Sequence, residues 1–97
     1  MTELDWLQSW YADHCDGVWE HSYSVRIDTI DNPGWSLRID LVGTALEHRA
    51  FTRRDESRSE ADWYVLWVQD HVFYGAGDPK KLEAMIAAFR AWTMTRG

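Results

Sequence analysis

Cysteine is nearly absent from this chain. Cys15 stands alone among 97 residues, which excludes an internal disulfide. Paired ligand spacing of the Cys-x-x-Cys kind is missing as well, so no metal centre and no cofactor are expected. No apolar stretch approaches the roughly 20 residues of a membrane helix. The opening MTELDWLQSW has neither a basic region nor an apolar run and does not read as a signal peptide. A cytoplasmic location is the default expectation. Cations are scarce: ten Lys and Arg against sixteen Asp and Glu leave a net charge of −6. Following a phosphate backbone requires clustered cations, so nucleic acid is not an expected partner, whereas a basic protein surface is a suitable one. The length fits one domain, residues 1–97, with a small two-layer core and no room for a separate catalytic domain.

Aromatic residues, by contrast, are plentiful, with seven tryptophans in the chain. The clearest local pattern runs from Tyr23 to Leu41. Tyr23, Val25, Ile27 and Thr29 alternate with Ser24, Arg26 and Asp28; Trp35, Leu37, Ile39 and Leu41 alternate with Ser36, Arg38 and Asp40. Period-two alternation marks strands with one buried and one wet face. Between them, Asp31-Asn32-Pro33-Gly34 reads as a turn, with proline presetting φ and glycine accepting a positive one. Pairing Asp28 with Arg38 and Arg26 with Asp40 is electrostatically preferred over placing Arg26 opposite Arg38. The short loop that this pairing needs opposes it, and the register stays open.

The remaining chain supplies the other layer. Glu3 to Cys15 reads as a helix, with Thr2 as its cap, Leu4, Leu7 and Tyr11 on its stripe and Gly17 past its end. A short charged strand is expected over Ala50–Asp55, followed by a polar turn at 56–60. DWYVLWVQD from Asp62 is a strand that is apolar on both faces, with Trp63, Val65 and Trp67 assigned to the core. A tight connection at Gln69-Asp70 leads to a fifth strand over His71–Tyr74. Gly75-Ala76-Gly77 then releases the backbone into a final helix capped by Asp78, with Pro79 in its first turn and Leu82, Met85, Ile86 and Phe89 on its stripe. The expected class is α+β: an N-terminal helix, a four- to five-stranded antiparallel meander and a C-terminal helix, both helices on one face of the sheet.

Chemistry has few candidates. His14-Cys15-Asp16 with Glu20-His21 is the densest polar cluster, but adjacent helical ligands point apart, and a nucleophilic cysteine needs a base and an orienting group that the sequence does not show. Cys15 is expected to pack at the helix end as a small apolar residue. Asp28 and Asp40 read as solvated partners of Arg26 and Arg38 rather than an acid–base pair. Trp10 and Trp35 are assigned to the core. Trp19, beside Glu20 and His21, is either a surface anchor or a lid over the helical layer.

Several of these stretches resemble the immunity protein 53 family of bacterial polymorphic toxin systems. They are Trp6-Leu7-x-x-Trp10-Tyr11, Trp19-Glu20-His21-Ser22-Tyr23, Asp31-Asn32-Pro33-Gly34-Trp35, Ile39-Asp40-Leu41 with Gly43-Thr44, Asp62-Trp63, Gly75-Ala76-Gly77 and Phe89-x-x-Trp92. The resemblance covers nearly the whole chain in order. It implies a small non-enzymatic protein that binds and neutralises a cognate toxin domain, and an acidic chain suits a nuclease toxin with a basic active face. An interface needs aromatic or arginine anchors. The expected contact residues are Arg26, Asp28, Arg38 and Asp40 on the wet sheet face, Tyr64 and Leu66 if they point outward, and Trp19, Glu20 and His21 in the connection. Two alternatives stand beside this reading: an adaptor module with an unrelated partner, and a small hydrolase using Cys15 or the carboxylates. Either a monomer or a homodimer paired through a sheet edge is compatible with all three.

Overall fold

Thr2 fixes the start of the first helix. Its hydroxyl accepts the backbone N–H of Asp5, and the Asp5 carboxylate accepts the N–H of Thr2. This reciprocal pair satisfies donors that a helix N-terminus otherwise leaves free. The structure, a computed structural model, describes residues 2–95. Helix α1 spans Glu3–His14, and a single turn, α2, covers Trp19–Ser22. The strands are β1 (Val25–Ile30), β2 (Gly34–Asp40), β3 (Arg54–Ser59), β4 (Asp62–Gln69) and β5 (Val72–Gly77), and α3 closes the chain at Leu82–Thr93. The class is the expected α+β, with helices at both ends of a five-stranded antiparallel sheet.

The strand order is β1-β2-β5-β4-β3. It departs from a sequential meander. The β1–β2 hairpin and the β3–β4–β5 meander are separate units, joined where β5 pairs with β2, so the last strand lies in the middle. The third strand expected at Ala50–Asp55 is displaced to Arg54–Ser59 and takes up residues read as a turn. An edge strand tolerates that polarity because water can reach both of its sides. Residues 41–53 cross to this far edge. They are held down by buried Leu46, by Phe51 against Phe73 and Trp92, and by Arg49, which donates to the carbonyls of Trp92 and Thr93 at 3.2 Å each. The guanidinium thereby satisfies two carbonyls at the end of α3.

The hairpin register follows its loop rather than its charges. Ile30 pairs with Gly34 around Asp31-Asn32-Pro33, which sets Arg26 opposite Arg38 and Asp28 opposite Ser36. Charge pairs on a wet face are worth too little to overrule the turn. Gly34 is not a turn glycine with positive φ. It is the first residue of β2, and a Cβ there would collide with the carbonyl oxygen of Gly77. The tight connection between β4 and β5 is Asp70-His71, one residue later than expected, with φ of 52° and 62°.

One continuous core lies between the sheet and the helices. Leu37, Ile39, Leu66 and Phe73 meet Leu7 of α1 and Met85, Ile86, Phe89 and Trp92 of α3. The central strand admits α3 closely because two of its inward positions are glycine. A Cβ on Gly75 would stand 3.0 Å from Met85 Sδ, and one on Gly77 would stand 2.9 Å from Lys81 Cβ. These glycines belong to β5 rather than to a linker. Helix α3 begins at Leu82, later than the sequence implies, because Asp78 is occupied elsewhere. Its buried carboxylate accepts the N–H of Trp63, the N–H of Lys80 and the Lys81 ammonium, each at 2.8 Å. The Lys81 contact, aided by the two amides, holds this carboxyl down to about 2. Lys81 also meets Asp62 at 2.7 Å, and Asp62 followed by Asp78 raises the ammonium above its usual value. This cluster ties the start of β4 to the approach of α3.

Candidate functional site

Alternation assigns the two faces of a strand but not which of them is covered. On β4 the pairing with β5 decides. Leu66 lies opposite Gly75 and Tyr64 opposite Gly77, on the side where α3 crosses. Leu66 is therefore fully buried, and Tyr64 is half-buried against the core. Neither points outward onto the open face, the condition on which both were expected in the interface. Trp63, Val65 and Trp67, assigned to the core from sequence, point away from the helices instead. Inward glycines at 75 and 77 were the signal in the sequence: small residues there leave room for a helix.

The open face carries a row of guanidinium and aromatic groups. Arg26 lies opposite Arg38, Arg38 opposite Tyr74, and Tyr74 opposite Trp67. The Tyr74 and Trp67 rings stack with centroids 5.1 Å apart and planes within 9°. The Arg38 guanidinium sits 5.3 Å from the Tyr74 centroid, and that of Arg53, just ahead of β3, sits 5.5 Å from the Trp67 centroid. Such contacts hold the cations over ring faces and leave their N–H edges for a partner. Among the described residues, Arg26, Arg38 and Arg53 make no ion pair within 4.0 Å, whereas Arg54 meets Glu56 and Arg90 meets Glu3 at 3.5 Å each. The next row is Asp28, Ser36, Ala76, Val65 and Asp55. Asp40 shares this face, and its carboxylate accepts the N–H of Ser24 at 2.8 Å. Of the residues expected here, the sheet brings Arg26, Asp28, Arg38 and Asp40 together. Tyr74, Trp67 and Arg53 were missed, because β5 read as too short and β4 as inverted.

The connection at 16–21 is closed by its own hydrogen bonds. The Glu20 carboxylate accepts the N–H groups of Asp16 and Gly17 at 3.0 and 2.9 Å, and Asp16 Oδ1 accepts those of Val18 and Trp19 at 2.9 Å. Glu20 is held below the usual carboxylate range by its own backbone N–H and by those of Asp16 and Gly17; Asp16 is lowered by the Trp19 and Val18 amides. Trp19 is buried, with its ring against Trp10, Tyr11, His14 and Tyr23 and its Nε1–H donating to Val42 O at 2.7 Å. It lids the helical layer and is not a surface anchor. His21 remains exposed on α2. Cys15 is exposed rather than packed, and its thiol turns back to Tyr11 O at 3.3 Å, as His14 Nδ1 does to Trp10 O at 2.7 Å. Neither side chain is aimed at the other, so the arrangement lacks the base-to-nucleophile contact that covalent catalysis requires.

Among the described residues, no helix is long and apolar enough to cross a membrane. No curated protein and no solved structure is significantly similar to this chain. A family profile does match, over residues 4–94, and its description is immunity protein 53. That span takes in every strand, all of α3 and all but the first residue of α1, and with them the buried Trp19 and the Gly34–Gly77 contact. The chain belongs to the immunity protein 53 family.

Proposed function

We propose that this protein neutralises a cognate toxin domain of a bacterial polymorphic toxin system by non-covalent association, and that the open face of the sheet is the surface that holds the toxin. The observation that carries this reading is the uncovered row Arg26–Arg38–Tyr74–Trp67, with Arg53 over its end. Arginine, tryptophan and tyrosine are the residues most enriched among interface hot spots. Two opposed arginines that make no ion pair within 4.0 Å among the described residues have N–H groups to offer a partner, so the toxin presents acidic or carbonyl groups at that point. The acidic residues, Asp28, Asp40 and Asp55 of this same face among them, give the net charge of −6, which supports long-range steering toward a basic toxin such as a nuclease. An association rate that does not change with salt concentration would remove the steering part.

The test is co-expression with the toxin domain encoded beside this chain, scored by growth, together with binding by purified variants. Trp67→Ala and Arg38→Ala are expected to fold normally and to lose affinity by roughly thirtyfold each. Full affinity in both variants rejects the sheet face. Failure of the parent chain to rescue growth, while folded, returns weight to an interaction module with another partner.

A further inference from the structure

We propose that Glu47, His48 and His71 form a binding site for a divalent transition cation of the zinc class. Each offers one ligand atom, and these atoms lie within 4.8 Å of one another. Glu47 and His48 belong to the long connection between β2 and β3, whereas His71 sits in the turn between β4 and β5. Glu47 and His71 are 24 residues apart, so no ligand spacing in the sequence announces the cluster.

Two of the three ligands are already oriented from behind. His71 Nδ1 lies 2.8 Å from the carbonyl oxygen of Glu47. A carbonyl can only accept, so Nδ1 carries a proton, and it is Nε2 that offers a lone pair to a metal when the ring is neutral. Imidazoles at metal sites are commonly fixed in this way. One Glu47 oxygen, Oε1, accepts the N–H of Gly43 at 3.1 Å. The other, Oε2, is left 3.8 Å from His48 Nε2. The backbone adds a third constraint. Asp70 and His71 both have positive φ, 52° and 62°, a conformation uncommon outside glycine. It turns the His71 ring back over the connection.

His48 is the movable member, with its side chain 81% exposed. Ligand atoms around tetrahedral zinc stand about 3.4 Å apart, so the set has to draw in on binding, and the exposed His48 side chain has room to rotate toward it. Two imidazoles and one carboxylate suit zinc, cobalt or nickel, whereas calcium and magnesium require oxygen ligands throughout. A bound cation would clip the 41–53 connection to the β4–β5 turn and leave a coordination position for water.

The test uses the whole chain without a histidine tag, freed of metal by a chelator. Cobalt chloride titration followed by visible absorption, and zinc chloride titration by calorimetry, should each show one equivalent bound. Zinc in excess should raise Tm, because a ligand selective for the folded state stabilises it. His48→Ala and His71→Asn should each weaken binding about tenfold or more. Asparagine is chosen at 71 because it accepts a left-handed backbone. His21→Ala should bind as the parent does. Absence of saturable binding, unchanged binding in both His48→Ala and His71→Asn, or equal loss in His21→Ala overturns the proposal.

Discussion

On β4, Leu66 is fully buried between Gly75 and the α3 layer, while its neighbour Trp67 stands half-exposed on the opposite face, stacked on Tyr74. Both are large and apolar, and hydropathy alone does not separate them. Their surroundings do. Leu66 is surrounded by aliphatic and aromatic side chains from strands and helices. Trp67 has one aromatic neighbour, an arginine above it, and no covering element. A sheet with one helical layer has one core, and apolar area on the other side is area left for something else.

The sharpest way to separate the two faces is to damage each in turn. Phe89→Ala removes a ring in contact with Trp6, Trp10, Phe73 and Trp92. It should cost about 3–5 kcal/mol, enough for chemical denaturation to find much of the domain unfolded. Trp67→Ala should leave the denaturation midpoint near that of the parent while toxin affinity falls by about 2 kcal/mol. If Trp67→Ala unfolds the protein as Phe89→Ala does, the contrast between the faces fails. Gly77→Ala probes the covered side more gently, since its Cβ would lie 2.9 Å from Lys81 Cβ and 3.1 Å from Tyr64 Cβ. A loss of about 1–3 kcal/mol is expected, with affinity unchanged once the variant is folded.

Acid offers a further separation. Asp78 titrates at about 2 in the folded chain against an ordinary value of 3.8. Its contribution to stability is complete above about pH 4 and is lost as pH falls through 2. Asp78→Asn should flatten that part of the stability curve measured by denaturation between those limits. The smallest effect belongs to Glu20→Ala, which frees the Asp16 and Gly17 amides at the end of α1. A slight fall in Tm with unchanged toxin affinity is expected; lost affinity at full stability would restore the connection as a contact surface.

Much of the fold was legible because short-range chemistry writes it directly. Thr2 and Asp5 form the helix start that their spacing implies, Gly17 adopts a φ of 90°, and the alternation of β1 and β2 yields the buried Leu37 and Ile39. What was not legible depends on partners distant in sequence. Strand β4 is apolar on both sides, so its orientation is set only when Leu66 finds Gly75. Asp78 has the composition of a helix cap, yet the Trp63 amide claims it first. Asp31-Asn32-Pro33-Gly34 looks like a four-residue turn until Gly34 meets Gly77. The candidate surface suffered most, since Tyr74 and Trp67 form a row with Arg38 only after β5 takes the central place.

The buried Trp19 has a consequence for substitutions in this chain. Trp19-Glu20-His21-Ser22-Tyr23 and Asp31-Asn32-Pro33-Gly34-Trp35 lie within the span that the family profile matches, and their central members are used internally. Trp19 donates to Val42, Glu20 closes its own loop, Gly34 abuts Gly77, and Trp35 donates to Pro79 at 2.9 Å. Side chains committed in this way hold the scaffold together. A substitution at Trp19 or Gly34 is therefore expected to be felt first in folding, ahead of any effect on a bound partner.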